Sequence, residues 1–168
     1  MYSLYCRENN LYCAPTVTFK NQQDQPCYFL MQNLTNNLKS YQVYSICNQE
    51  CARLMQIKPD KQIYALYQQA KLVGICHYHQ KFGKNHLWVK HLNWLIINNP
   101  RKKTYRIYHF KELIATIKPV TRDNGTYLEC NIGKQTDEPL VLGLLTILHS
   151  CPVDPILQHN LQTDLTLS

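Results

Sequence analysis

Residues 140–148 read LVLGLLTIL, with one Gly, one Thr and no charged side chain. No other segment constrains the fold as much. A helix on a protein surface shows a polar face, and this run has none. A helix that crosses a bilayer needs about 20 apolar residues, and this run is too short. As a helix it must therefore be covered by protein on every side. Thr136 and Asp137 offer N-cap oxygens, Pro139 suits a first turn and Pro152 a stop. A helix is expected over about 138–151, and from Pro139 to Cys151 it would be about 20 Å long. Gly143 lowers helix propensity but would let the side chains of another element approach closely. A buried strand is the competing reading, favoured by Val141, Gly143 and Ile147.

What could cover such a helix is legible upstream. Tyr41–Ile46, Ala52–Ile57, Gln62–Tyr67, Leu72–His79, His86–Leu92, Trp94–Ile97, Thr104–His109, Leu113–Lys118 and Thr126–Ile132 are short runs rich in Tyr, Ile, Val and Leu. They break at Asn, Gln, Lys-Pro-Asp, Asn-Pro and Asp-Asn-Gly, the pattern of successive antiparallel hairpins. Three more strands are expected at Tyr2–Cys6, Thr16–Lys20 and Cys27–Met31. The gaps leave no room for crossover helices, so a parallel sheet is excluded. A faint repeat supports the hairpins. LYQQAKLVGIC (66–76) and IYHFKELIATI (107–117) share an apolar-Tyr pair, a polar turn and an apolar residue before Gly74 or Ala115. VYSICNQECARLMQI (43–57) follows the same plan with one extra residue before Ala52. A meander this long closes on itself to remove its edges. A barrel of about twelve strands has a lumen that its own side chains cannot fill; the run at 140–148 is the expected plug.

At 168 residues the chain is expected to form one domain over 1–168, with 152–168 a tail or last strand. Its 45% hydrophobic content argues against disorder, and only 5 Gly beside 12 Tyr argue against a glycine-loop nucleotide binder. MYSLYCRENN has no basic region followed by an apolar run. The expected location is cytoplasmic, with peripheral attachment at the inner membrane surface as an option. The 8 Cys include no CxxC pair, and in that compartment they read as small hydrophobes.

The segments KLVGICHYHQKFGKNHLWV, WLIINNPRKKTYRIYH and ELIATIKPVTRDNGTYLECNI, followed directly by TDEPLVLGLLTILHS, carry a family resemblance. In order and spacing they resemble the LURP-one-related family of the tubby C-terminal-like superfamily, which also includes the phospholipid scramblases. The resemblance is clearest from about Tyr41 to Cys151. It implies a closed antiparallel barrel, typically of twelve strands, around a C-terminal hydrophobic helix. It also implies lipid contact, since tubby-type relatives bind phosphoinositide headgroups. Two features depart from the pattern. The turn after Trp94–Ile97 reads Asn98-Asn99-Pro100 where relatives tend to carry Gly and Asp, and residues 152–168 follow the helix. No headgroup motif can be carried over, and the acidic calcium loop of scramblases has no counterpart.

The net charge of +7 raises the question of where the cations lie. If strands alternate from Ala52 onward, the turns at 58–61, 80–85, 99–103 and 120–125 share one end of the barrel. That end collects Lys58, Lys61, Lys81, Lys84, Arg101, Lys102, Lys103 and Arg122 against Asp60 and Asp123. The other end, with Lys71, Lys111, Glu50 and Glu112, is nearly neutral. The scheme requires a real turn near Asn93. A basic rim of this kind attracts anionic phospholipid or a partner's acidic surface, and Phe82 between Lys81 and Lys84 could dip into the interface. A solvated, solubilising rim is the bland reading. Tyr105, Tyr108, Phe110 and Trp88 would serve as stacking platforms if the partner were single-stranded nucleic acid. His77, His79 and His86 cluster on one hairpin as weak metal candidates, with no carboxylate beside them. Cys76 and His77 are adjacent and so face opposite sides of a strand. Paired carboxylates, a nucleophile elbow and a phosphate loop are all missing. The expectation is a binding or regulatory module without enzymatic activity or cofactor.

Overall fold

The computed structural model describes residues 2–81, 84–99 and 101–150. Twelve strands run in chain order: β1 (Tyr2–Arg7), β2 (Thr16–Lys20), β3 (Pro26–Thr35), β4 (Leu38–Ser45), β5 (Glu50–Lys58), β6 (Lys61–Gln68), β7 (Lys71–Lys81), β8 (Lys84–Lys90), β9 (Trp94–Asn99), β10 (Thr104–His109), β11 (Glu112–Arg122) and β12 (Gly125–Ile132). Each pairs antiparallel with its neighbours in sequence, and β1 closes on β12 from Tyr2↔Ile132 to Arg7↔Tyr127. The result is the expected closed barrel. A one-turn helix, α1 (Asn10–Cys13), covers one end and was not legible in the sequence. Residues 152–168, expected as a tail or strand, and Phe82 lie outside the described residues.

The faint sequence repeat has a physical meaning. Leu66 opposes Gly74, Ile107 opposes Ala115 and Val43 opposes Ala52, and in each hairpin the register slips at the next step. A fourth hairpin, β2–β3, slips in the same place after Phe19↔Tyr28. Each slip inserts one extra residue on the returning strand, which increases local twist and helps the sheet curl. Gly74 has a further constraint: a β-carbon there would lie 2.9 Å from Val89 Cγ1 and 3.0 Å from the Lys90 carbonyl oxygen.

Alternate residues point inward. Val17, Phe19, Leu30, Val43, Leu54, Leu66, Cys76, Val89, Ile96, Ile107, Ile117, Leu128 and Ile132 are sealed from solvent. Inside them lies α2 (Glu138–Ser150), preceded by a short 3-10 turn over Gln135–Asp137. Leu140, Val141, Leu142, Leu144, Leu145 and Ile147 are buried right round the helix, which answers the constraint set by residues 140–148. Thr136 and Asp137, expected as caps, instead belong to the 3-10 turn, where the Gln68 Nε2 donates to the Thr136 carbonyl at 2.6 Å. Gly143 lies against Leu54 of β5, and a β-carbon there would collide with the Leu54 Cδ1. Where α2 starts, the Tyr28 hydroxyl donates to the Glu138 Oε2 at 2.7 Å. Burial raises the pKa of the Glu138 carboxyl, with the Tyr28 hydroxyl opposing the shift.

Candidate anion-binding end of the barrel

The turn at His91-Leu92-Asn93 is real, with His91 at φ 75° and Asn93 at φ 53°. Strand alternation therefore puts the β5–β6, β7–β8, β9–β10 and β11–β12 turns at one end. The β3–β4 turn (Asn36-Asn37) and α1 join them, and α2 emerges there. Lys58, Lys61, Lys81, Lys84 and Arg122 are the last or first residues of strands rather than turn residues.

Local structure holds this end in place. Gln56, buried inside, accepts a hydrogen bond from the Lys39 backbone N–H at 3.2 Å and donates through Nε2 to the Lys61 carbonyl at 3.2 Å. One side chain thus ties the ends of β4, β5 and β6 that carry Lys39, Lys58 and Lys61. The Asn99 Oδ1 accepts from the Lys102 N–H at 3.3 Å and orders the Arg101–Lys103 turn.

The expected rim residues do not all play one role. Arg122 lies over the Tyr5 ring at 4.0 Å and the Tyr127 ring at 5.3 Å, flat against the outer wall. Lys103 pairs at 3.4 Å with Glu8, whose side chain is only 10% exposed. Lys58, Lys61, Arg101 and Lys102 are exposed and meet no ion-pair partner among the described residues. Lys39, which was not anticipated because it precedes the strands used to set the alternation, joins them. The side chains of Lys81 and Lys84 are outside the described part. Toward the opposite end Lys20 pairs with Asp24 at 3.1 Å, Arg53 with Glu50 at 2.6 Å and Lys134 with Glu112 at 3.4 Å, while Lys71, Lys90 and Lys111 are exposed without an ion-pair partner among the described residues.

A recess of about 310 Å³ opens beside Lys39, lined by Leu11, Tyr12, Gln32, Leu34, Tyr41 and His149. His149 ends α2 between the rings of Tyr12 and Tyr105, each at a centroid distance of 5.5 Å, and its Nδ1 donates to the Leu145 carbonyl at 3.1 Å. Burial lowers the pKa of this imidazole; the Leu145 carbonyl and Glu8 partly oppose the shift, and Lys103 adds to it.

Other expected residues are dispersed. Tyr105 points inward and is buried, because it takes an inward register position in β10; it offers no stacking platform. Phe110 is exposed at the far end, in the β10–β11 turn. Trp88 and Tyr108 face outward on the wall. His77 also faces outward, opposite Trp88, while Cys76 is sealed inside. His79 and His86 are paired across β7–β8, and the His79 side chain is outside the described part. Among the described residues no His, Cys, Asp or Glu group is placed to hold a metal ion. No described helix is long and apolar enough to cross a bilayer.

These features define a class by architecture: a closed twelve-stranded antiparallel barrel enclosing an apolar helix. The protein AT5G01750 from Arabidopsis thaliana has a similar solved structure, with a TM-score of 0.60 over 88% of this chain and 89% of that one. The two sequences are 7% identical, so the likeness concerns fold alone. No family profile matches the chain. No curated protein matches it in sequence.

Proposed function

We propose that this protein is a non-enzymatic binding module of LURP-one-related type that docks its basic end on anionic phospholipid at the cytoplasmic membrane surface. The supporting observation is the balance of charge between the ends. At one end Lys39, Lys58, Lys61, Arg101 and Lys102 stand exposed without an ion-pair partner among the described residues, with Asp60 and Asp123 as the acidic residues of its turns. At the far end Asp24, Glu50 and Glu112 pair with Lys20, Arg53 and Lys134 and leave Lys71, Lys90 and Lys111 unpaired among the described residues. Near an anionic bilayer each free cation contributes about 1 kcal/mol, so together they give reversible, salt-sensitive attachment. The recess beside Lys39 is a place where a headgroup phosphate could enter between α1 and the β3–β4 turn. The barrel likeness to AT5G01750 is compatible with the family reading. The alternative, an adaptor for an acidic protein or single-stranded nucleic acid, rests on the same basic end.

The test is co-sedimentation with phosphatidylcholine vesicles, with and without phosphatidylserine, at low and physiological ionic strength. Binding is expected only with phosphatidylserine and should weaken as salt rises. Replacing Lys58, Lys61, Arg101 and Lys102 together by Ala should abolish it. Lys103 is best left intact, because its removal would strand the nearly buried Glu8 carboxylate. Absence of binding at low salt would refute the proposal.

A further inference from the structure

The wall of the barrel is also divided. Between Asp60 and Glu112 the sequence has ten Lys and Arg and no Asp or Glu, and this stretch builds β6 to β10. Register aligns its outward residues in rows. One row runs Ile63, His77, Trp88, Leu95, Tyr108. The row on one side runs Ala65, Ile75, Lys90 and continues onto Met55 of the adjoining β5, and on the other side His86, Ile97, Arg106 are in line. Trp88 is 37% exposed, Ile97 46% and Met55 40%. The adjoining wall of β11, β12 and β1 is polar and bonded to itself: the Ser3 hydroxyl donates to the Asn131 Oδ1, the Tyr5 hydroxyl to the Glu129 Oε1, and Lys118 pairs with Glu129.

We infer that the outer face of β6–β10 is a protein-docking surface whose partner is an acidic amphipathic segment. The centre of the patch is aliphatic and aromatic, and its corners are the exposed cations Lys61, Lys90 and Arg106. An apolar centre inside a polar rim is the anatomy of a protein interface, and contiguous exposed apolar wall marks such sites. The rim is of one sign, so the complementary partner carries Asp or Glu around its apolar residues. A second copy of this chain would bring cations against cations and is disfavoured by the same rule. A nucleic acid would find Ile63, Ile75, Leu95 and Ile97 where it needs donors and stacking faces. Because the sheet is closed, the partner cannot add a strand at an edge. It must lie across the side chains, as an amphipathic helix lies in a groove.

Selection from a displayed library of random 16-residue peptides tests this without a known partner. Enriched peptides are expected to combine Leu, Ile, Phe or Trp with Asp or Glu. Their affinity should fall about ten-fold or more with Trp88→Ala, as for a central anchor, and similarly at low salt with the pair Lys90→Glu and Arg106→Glu. Ile97→Ser is a second, separate variant, and thermal melts should show all of them folded. Four results would each overturn the proposal: no enrichment, enriched peptides that bind Trp88→Ala unchanged, binding of an oligothymidylate strand lost in Trp88→Ala, or a concentration-dependent dimer lost in Trp88→Ala. Loss of vesicle binding in Trp88→Ala would also overturn it, since it would make the wall a bilayer face.

Discussion

At the scale of single residues, two backbone positions and a set of thiols give the sharpest expectations. Gly143 faces Leu54 with no room for a β-carbon. Gly143→Ala gains about 1 kcal/mol of helix propensity but overpacks a sealed core, which costs about 1–3 kcal/mol. A net loss of stability in urea unfolding is expected, and adding Leu54→Val should recover part of it. Gln69 and Ala70 form the β6–β7 turn with φ of 49° and 63°. A left-handed conformation costs an L-residue about 1–2 kcal/mol, so Ala70→Gly should raise the unfolding midpoint; an unchanged or lower midpoint would contradict the turn geometry. The close approach at Gly143 was anticipated from a glycine inside an apolar run, whereas the turn at Gln69-Ala70 shows only as a polar gap. The thiols divide by burial. Burial pushes Cys130 up to about 12 and raises Cys6 well above the ordinary thiol value. Cys13 and Cys47 are exposed. Peptide mapping after brief native labelling with a thiol reagent should find Cys13 and Cys47 modified, and Cys6, Cys76 and Cys130 modified only after unfolding.

At the scale of elements, the helix α2 is both core and sensor. Truncating any of its sealed leucines, for example Leu144→Ala, should destabilise by about 2–5 kcal/mol, because a cavity opens on the barrel axis. His149 closes this helix between Tyr12 and Tyr105, and burial holds its pKa below the ordinary imidazole value. The folded state therefore favours the neutral ring. Its contribution is complete above the unfolded value of about 6.5 and is lost as pH falls below it toward the lowered folded value. Melting temperature should drop between neutral and mildly acid pH, and the drop should be smaller in His149→Gln. An equal drop in both would place the acid sensitivity elsewhere. The helix itself was legible because its composition left a single solution, burial on all sides. Helix α1 was not, since its four residues have no periodicity to read and owe their form to closing the barrel end over His149.

At the scale of the whole molecule, closure is the governing event. The β1–β12 seam joins residues 120 or more positions apart, with Tyr5 OH to Glu129 Oε1 at 2.7 Å among its bonds. Non-local pairing of this kind makes folding slow, on the order of milliseconds to seconds or longer. Tyr5→Phe should lower stability by about 0.5–1.5 kcal/mol, measured by urea unfolding, through loss of that bond on a seam that no local hairpin can replace. Closure also explains the two-faced exterior. With every strand edge paired, only side chains are left to engage a partner, so the free cations of one end and the apolar wall of β6–β10 are the surfaces on which a binding role rests.

Local patterning by itself determined the strand sequence, the hairpin connectivity and the need for an enclosed helix. Period-two hydrophobicity, turn residues and an uncharged apolar run act over a few residues, and a single chain displays them all. The end assignment followed from the same alternation once the turn at 91–93 was granted. The tertiary structure alone decided which of the rim cations are free. Lys103 and Arg122 look like Lys58 and Arg101 in the sequence, yet Glu8 and Tyr5 reach them from strand β1 and its following turn only because the barrel closes. It likewise decided that Ile63, Trp88, Leu95 and Ile97 share one face, because outward rows run across strands, and no pattern along the chain records them.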